Sequence, residues 1–318
     1  SEENNAASNG GFRCFSKSGI FRKAHLAFAK LSMEGFCGVR GMKKRRIGID
    51  IQCFQLFQLF VPVLELFSNE IKNEYNRIFL FDRHQYQWVQ KYNQAGTFHL
   101  PLASDVERMD KVIADISEND RKKFSSDIAF VGSLYSEKNN YSDLNKMESF
   151  AKGFLDGVIE AQLKVYGANF MESALTDKIV DEASKYMAKY NIQSIVEPME
   201  RFLLAHAYMG YELAFRERVL TLNTLAKYYK VDLYTLSDTS PLVNVNNKGQ
   251  AKTLTEMPKI FNLSKINLNM TMRPIETGLP LRIFDILSSG GFCMTNFQEE
   301  LLDMFTIKEK LGRLEGLN

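Results

Sequence analysis

Arg282 and Asp285 stand three residues apart in the run PLRIFDILSSGG, so a helix through that run carries both on one face. A guanidinium at that point offers a planar fork that neutralises and orients two oxygens of a diphosphate. A carboxylate beside it accepts hydrogen bonds from ribose hydroxyls. The same spacing also describes an ordinary surface ion pair, and the residues alone leave both readings open. Just upstream, Lys265 to Met272 alternates, with Ile266, Leu268 and Met270 on one side and Asn267, Asn269 and Thr271 on the other, which predicts a half-buried strand with one polar face. Lys265 and Arg273 bracket that face, and Thr277 and Gly278 lie in the loop leading to the helix. Free N–H groups at a helix start attract anions. Asparagines at such a strand tip bind sugar or base edges, or cap the loop that follows.

The elements needed to hold these residues can be read around them. Met257 to Gln298 has the form helix, strand, loop, helix, strand, with Pro280 at the first helical position, the helix ending near Ser289, and Gly290-Gly291 as its stop. Ile128 to Val131, Val231 to Leu236, Ile266 to Met270 and Phe292 to Thr295 are short apolar runs separated by helical patterns. They predict a parallel sheet within about 106–296. Gly132 closes the first of these strands, where a ligand can approach the backbone. Leu144 to Ile159 has helical spacing with Gly167 as terminator, and further helical patterns cover Thr176 to Tyr190 and Pro198 to Tyr229, a helical insertion between strands. Before the sheet, Ile78 to Phe81 reads as a buried parallel strand closed by Asp82-Arg83. A helix over His84 to Tyr92 and a strand over Phe98 to Leu102 follow it, and the chain leaves this part near Asp105. Within the first sixty residues only Ala24 to Leu31 suggests a helix and Arg46 to Cys53 a strand, and no job is assigned to them. Phe54 to Phe67 is too short to span a bilayer and reads as core.

Forty basic and thirty-eight acidic residues leave the 318-residue chain at +2, so nothing points to nucleic acid as a partner. Lys43 to Arg46 is a local basic run of the kind found in solvated loops. Cys14, Cys37, Cys53 and Cys293 show neither a CxxC nor a Cys/His spacing, so no metal site and no disulfide framework is expected. The acidic, polar start SEENNAASNGG is unlike an export signal, and a cytoplasmic location without a transmembrane segment is expected. Of the histidines, His25, His84, His99 and His206 have no carboxylate or serine at suggestive spacing. His206 lies in a helical apolar run and reads as a core residue, while His99, near the expected boundary, is the candidate for a catalytic role in a cleft.

The runs SKINLNMT, GLPLRIFDILSSGGF and TNFQEEL resemble the nucleotide-binding half of the spore-maturation CgeB-type glycosyltransferases. NRIFLFDRHQY, FHLPLASDVERM and DIAFVGSLYSEKNNY match the same family upstream. The resemblance extends from about Pro62 to Phe305, in order and spacing. It implies an α/β protein of GT-B type, with two Rossmann-like domains facing a cleft: 1–60 a divergent segment, 61–105 the rest of an abbreviated acceptor-side domain, and 106–318 a nucleotide-sugar-binding domain carrying the helical insertion. It implies sugar transfer from a nucleotide-sugar donor to a glycan, protein or small-molecule acceptor, with no cofactor and no metal. Gly132, Ser133 and Lys138 then form a second phosphate-facing loop, joining Lys265, Asn269, Arg273, Thr277, Gly278, Arg282 and Asp285 around the donor nucleotide. Asp285 takes the place of the second glutamate in the paired-carboxylate motif of related sugar transferases. Thr277 stands where the first is expected, with Glu276 one residue off, and Phe60-Val61 replaces an acidic residue before Pro62. Against the family the chain stops early, within TIKEKLGRLEGLN, so the second domain is expected to be truncated and closure of the cleft poorly supported. Alternatives to transfer are a catalytically silent nucleotide- or carbohydrate-binding protein and a nucleotide-sugar epimerase.

Overall fold

The fold was established from a computed structural model that describes residues 13–15, 69–72, 77–188 and 199–304. Its larger sheet contains β1 (Arg13–Phe15), β4 (Ser126–Val131), β5 (Val231–Tyr234), β6 (Asn246–Asn247), β7 (Ser264–Asn269) and β8 (Cys293–Thr295), in the order β1-β8-β7-β4-β5-β6. All neighbours are parallel except β1 and β8. Parallel pairing requires a crossover between strands, and the helical patterns between the apolar runs supply it. The four strands predicted from those runs are all present, and the last two are parallel as expected. The β5 run stops at Tyr234, two residues short of the predicted end, and Leu236 is 78% exposed.

Helices cover both faces of the sheet. On β4, Ala129 and Val131 pack against Phe261, Ile283 and Phe284, from helices α9 (Met257–Leu263) and α10 (Leu281–Ser288). Ile128 and Phe130 face the opposite way and join Leu222, from helix α8 (Gly210–Leu225). Burying a side chain such as Phe284 or Leu222 contributes about 1.5–3 kcal/mol. Covering both faces also corrects the expectation for β7. It is not half-buried, because Asn267, Asn269 and Thr271 lie inside the protein and not along a wet face.

The helical insertion between β4 and β5 has its own core of Leu155, Ile159, Met171, Leu204, Met209 and Leu213. It includes α4 (Ser149–Leu163), α5 (Met171–Ala174) and α6 (Asp177–Ser184). A continuous run follows, α7 (Met199–Phe202), a π-helical turn over Leu203–Met209, and α8. Gly167 does not end α4, which is capped at Lys164; it adopts a left-handed backbone three residues later. Gly210 is where the long run meets the loop after β7, and a Cβ there would fall 2.9 Å from Pro274 Cγ.

A second, two-stranded parallel sheet joins β2 (Ile78–Leu80) to β3 (Thr97–His99), with α1 (Arg83–Gln90) between them. The apolar run here reads as a buried strand, but Phe79 and Phe98 are exposed and stack on each other at 5.3 Å. Asp105 caps α2 (Val106–Ala114), which is followed by α3 (Glu118–Phe124). β1 belongs to the segment that the sequence left without a role; it is the outer strand against β8. The expected elements at Ala24–Leu31, Arg46–Cys53 and Phe54–Phe67, and the basic run at Lys43–Arg46, lie outside the described residues. Among the described residues no helix is long and apolar enough to cross a membrane.

Candidate functional site

The chain leaves β4 on one side to form β5 and later returns on the other side as β7. In an open parallel sheet this reversal opens a crevice between the strand tips, the usual place for a ligand. Arg218, on α8, lies across it. Its guanidinium donates to the carbonyls of Ser133, just past β4, and of Met270, just past β7, the latter at 2.7 Å. The cation sits 4.1 Å from the Tyr135 ring centroid and 5.4 Å from that of Phe130. Arg218 is 6% exposed, and its Nε–H has no acceptor. Tyr135 itself holds a left-handed backbone at φ 69°, an unfavourable state for a side chain of that size.

The loop after β4 closes on its own carboxylate. Ser133 Oγ donates to Glu137 at 2.6 Å and Ser237 Oγ at 2.9 Å, while the N–H groups of Tyr135 and Leu134 donate to Ser133 Oγ and Ser237 Oγ. Burial works against the Glu137 charge, but the two hydroxyls hold its carboxyl below the ordinary range. Lys138 is exposed at the rim.

The loop before α10 is fastened from the other sheet. Asp82, fully buried at the tip of β2, accepts from the N–H groups of Glu276 at 2.7 Å and of Thr277 and Gly278 at 3.3 Å. It also accepts from Thr277 Oγ1 and caps α1 through Gln85 N–H. A Cβ on Gly278 would lie 2.7 Å from Asp82 Cα, so only glycine allows this approach. The N–H groups expected to receive a phosphate therefore hold a protein carboxylate.

Arg282 and Asp285 share one face of α10, 3.3 Å apart, so the surface ion-pair reading is realised in part. Asp285 is buried and accepts from Ser104 Oγ at 3.1 Å, and burial raises its carboxyl above the ordinary range. The Arg282 guanidinium lies over Phe261, contacts Met257 Sδ, and keeps 29% of its side chain exposed. Burial lowers its pKa, the Asp285 charge opposes that, and the nearby positive charge of Arg218 adds to it.

The remaining residues expected at the site divide sharply. Arg273 is buried in a two-pronged pair with Glu217, at 2.9 and 3.3 Å, with Tyr166 stacked 4.3 Å away. Asn269 joins Thr271 and Thr295 side chains across the sheet. Lys265 is at the start of β7, the far edge of the sheet, paired with Asp127 at 2.6 Å. The structure therefore collects Gly132, Ser133, Lys138, Arg282 and Asp285 around the strand tips, leaves Asn269 and Arg273 beneath them with internal partners, fills the cradle of Thr277 and Gly278, and separates Lys265 altogether.

Sequence spacing also concealed the partners of the histidines. His99 Nε2 lies 3.2 Å from Glu300 and 3.3 Å from the Phe81 carbonyl, and His84 Nδ1 lies 3.4 Å from Glu276. His206 is buried, stacked on Phe202, and 2.7 Å from Glu172, as its reading as a core residue anticipated. Burial raises the Glu276 carboxyl, against the pull of His84 and His206. Among the described residues no group of three or more His, Cys, Asp and Glu side chains is placed to hold a metal ion.

Residues 215–314 match a family model described as glycosyl transferase-like. The match starts on α8, three residues before Arg218, and takes in β5 to β8 and α10, hence both arginines and most of the strand tips. It supports a glycosyltransferase and a glycosyl transfer function for this Rossmann-like α/β chain. No curated protein and no solved structure matches the chain. Arg218 escaped the sequence reading because FRERV looks like any solvated helix. The signal available was its helical spacing from the apolar residues Ala214 and Leu222, which puts it on the inner face.

Proposed function

We propose that the chain transfers a sugar from a nucleotide-sugar donor to a hydroxyl of a glycan, protein or small-molecule acceptor, and that it is of the CgeB type within the glycosyltransferases. The donor diphosphate lies at the crevice between the tips of β4 and β7, with Ser133, Lys138 and Arg282 on its rim. The acceptor enters from the side of β2 and β3, in a two-domain GT-B arrangement. Transfer forms a bond from the acceptor hydroxyl oxygen to the anomeric carbon as the bond from that carbon to the diphosphate oxygen breaks, the hydroxyl proton passing to the departing phosphate or to water. The departing oxygens are met by guanidinium groups, so that no metal is required. The observation that carries this reading is that the glycosyl transferase-like match covers the segment supplying Arg218, Arg282 and the tips of β5 to β8.

His99, proposed from sequence as a catalytic residue, turns Nε2 toward Glu300. On this reading it positions the junction of the two sheets. A catalytically silent nucleotide-binding protein is favoured by one fact, that Asp82 fills the N–H cradle before α10. Incubation with labelled UDP-, GDP-, ADP- and dTDP-sugars and a panel of acceptors tests the choice. Label in the acceptor, or nucleoside diphosphate released by transfer to water, is expected. Binding of a nucleotide sugar with no release would establish the silent protein instead, and a sugar isomer formed without acceptor would establish an epimerase.

A further inference from the structure

Arg218 presents a physical problem that the fold alone does not solve. A guanidinium carries five N–H donors and a permanent charge. Here two contacts go to neutral carbonyls, Nε–H has none, and no carboxylate of the described residues forms an ion pair with it. A buried charge is costly unless an opposite charge accompanies it. The rings of Phe130 and Tyr135 flank the cation, which offsets part of that cost and keeps water away. Other buried arginine charge in the protein is handled differently, since Arg273 has the full carboxylate of Glu217.

Three further facts place the missing counter-charge. Arg218 spans the tips of the two strands between which the sheet reverses direction, where ligands enter such sheets. A second cation, Arg282, stands in the first turn of α10, after the loop that leaves the β7 tip, and of these two arginines only Arg282 has a carboxylate partner among the described residues, Asp285. Tyr135, stacked on Arg218, holds a left-handed backbone of the kind that collects at binding sites. With Lys138 and the hydroxyl-bonded Glu137 of the β4 loop counted as well, three cations face two carboxylates, which leaves a net positive charge at the strand tips, and attraction for an anion is stronger in a low-dielectric wall than in water.

We propose that Arg218 is the buried half of a two-arginine diphosphate site, completed on the rim by Arg282, and that the ligand supplies the counter-charge Arg218 lacks. This deepens the glycosyl-transfer reading and rests on it for the identity of the anion as the donor's diphosphate. Arg218 is a binding residue that holds the strand tips in place with two donors and presents its remaining charge to the phosphates.

The test is calorimetric titration with inorganic pyrophosphate, with UDP, GDP, ADP and dTDP, and with the matching nucleosides. Wild type is expected to bind pyrophosphate and at least one of the diphosphates. Arg218→Gln is expected to weaken both by about tenfold or more and to leave nucleoside binding unchanged. Arg218→Lys, which keeps the charge and loses the fork, is expected to fall between. A merely structural role would weaken nucleoside and diphosphate alike, and that outcome overturns the proposal, as does unchanged pyrophosphate binding by Arg218→Gln or no binding by wild type. If Arg218→Gln does not fold, Arg218→Lys decides, and pyrophosphate bound as tightly as by wild type overturns the proposal. Selective loss of diphosphate binding in a protein that turns over no nucleotide sugar would uphold the arginine site and remove the glycosyl-transfer reading.

Discussion

Replacing Asp82 with alanine should loosen the smaller sheet from the larger one before the larger one unfolds. Five donors converge on the Asp82 carboxylate: Gln85 N–H, the N–H groups of Glu276, Thr277 and Gly278, and Thr277 Oγ1. Hydrogen bonds to a charged group contribute about 1.5–3 kcal/mol each, and a buried donor left unmatched costs about 1–3 kcal/mol. These terms overlap because the five share one acceptor. Taking the short bond to Glu276 N–H and the buried Gly278 N–H as the dominant losses gives about 3–5 kcal/mol. That is a large share of the roughly 5–15 kcal/mol by which a domain is stable. The described core of the small sheet is only Ile71, Ile78 and Val89, with Leu80, Trp88 and Tyr92 against it, and a two-stranded sheet does not hold by itself. Trp88 is the only tryptophan in the chain and lies on α1. Its fluorescence in a urea titration therefore reports the small sheet, while far-ultraviolet dichroism reports the whole. In Asp82→Ala the Trp88 transition is expected to move to lower urea and to separate from the dichroism transition; in Asp82→Asn, which keeps one acceptor oxygen, the shift should be about half as large. Coincident transitions with an unmoved midpoint in Asp82→Ala would show that the contact between the two sheets is held by something else.

Arg282→Ala is expected to weaken nucleoside-diphosphate binding by about 1.5–3 kcal/mol with the fold intact, and to lower the unfolding midpoint because buried Asp285 loses its partner; an unchanged dissociation constant returns Arg282 to the role of partner to Asp285 alone. Arg273→Met is expected to cost about 3–5 kcal/mol, because it leaves the buried Glu217 side chain without its partner, and adding Glu217→Leu should restore most of it; equal stability of the single and double variants would refute that account. Burial raises the Tyr166 phenol from its ordinary 10.0 to about 12, and raises Tyr141 and Tyr234 as well. A phenol whose pKa is higher in the folded state contributes stability that is complete below pH about 10 and is lost as pH rises toward the folded value. Urea midpoints should accordingly fall above pH about 10, with tyrosinate absorbance lagging behind that of the unfolded chain; simultaneous ionisation of all the tyrosines in the folded protein would contradict it.

The larger sheet was readable because parallel strands buried on both faces leave short, largely apolar runs, as β4, β5 and β8 do, and because β7 alternates. β1 was not, since Arg13–Phe15 has no periodicity and is a strand only through its pairing with β8. Alternation at Asn267, Asn269 and Thr271 correctly gave two faces, but period two does not distinguish water from a protein layer opposite, and the polar face proved to be interior. The anion cradle before α10 was also legible as a set of N–H groups. Its occupant was not, because Asp82 is 196 residues from Gly278 in the chain. The histidines fail for the same reason: His99 meets Glu300 across 201 residues, a relation no local spacing encodes. Propensity and period report neighbours along the chain, and the chemistry here is assembled from both sheets.

The distribution of charge at the strand tips decides between two locations for a diphosphate. In front of α10 the N–H groups of residues 276–278 are bonded to Asp82, and a phosphate arriving there would meet a buried carboxylate at the closest possible range. Like charges at such separations disfavour one another strongly where the dielectric is low. To enter, the ligand would have to expel Asp82 and detach the small sheet. At the tips of β4 and β7 the balance is reversed. Glu137 is held by the hydroxyls of Ser133 and Ser237, Arg273 is neutralised by Glu217, and among the described residues Arg218 has only carbonyl acceptors. An anion settling there meets the unpaired charge of Arg218 and, at the exposed edge of the loop, Glu137 in place of a buried carboxylate, so the same ligand is favoured at the reversal of the sheet over the loop before α10. Competition by pyrophosphate against a labelled nucleoside diphosphate, compared in Asp82→Asn and Arg218→Lys, separates the two locations. Binding that strengthens when Asp82 loses its charge but is indifferent to Arg218 would move the diphosphate to the loop before α10.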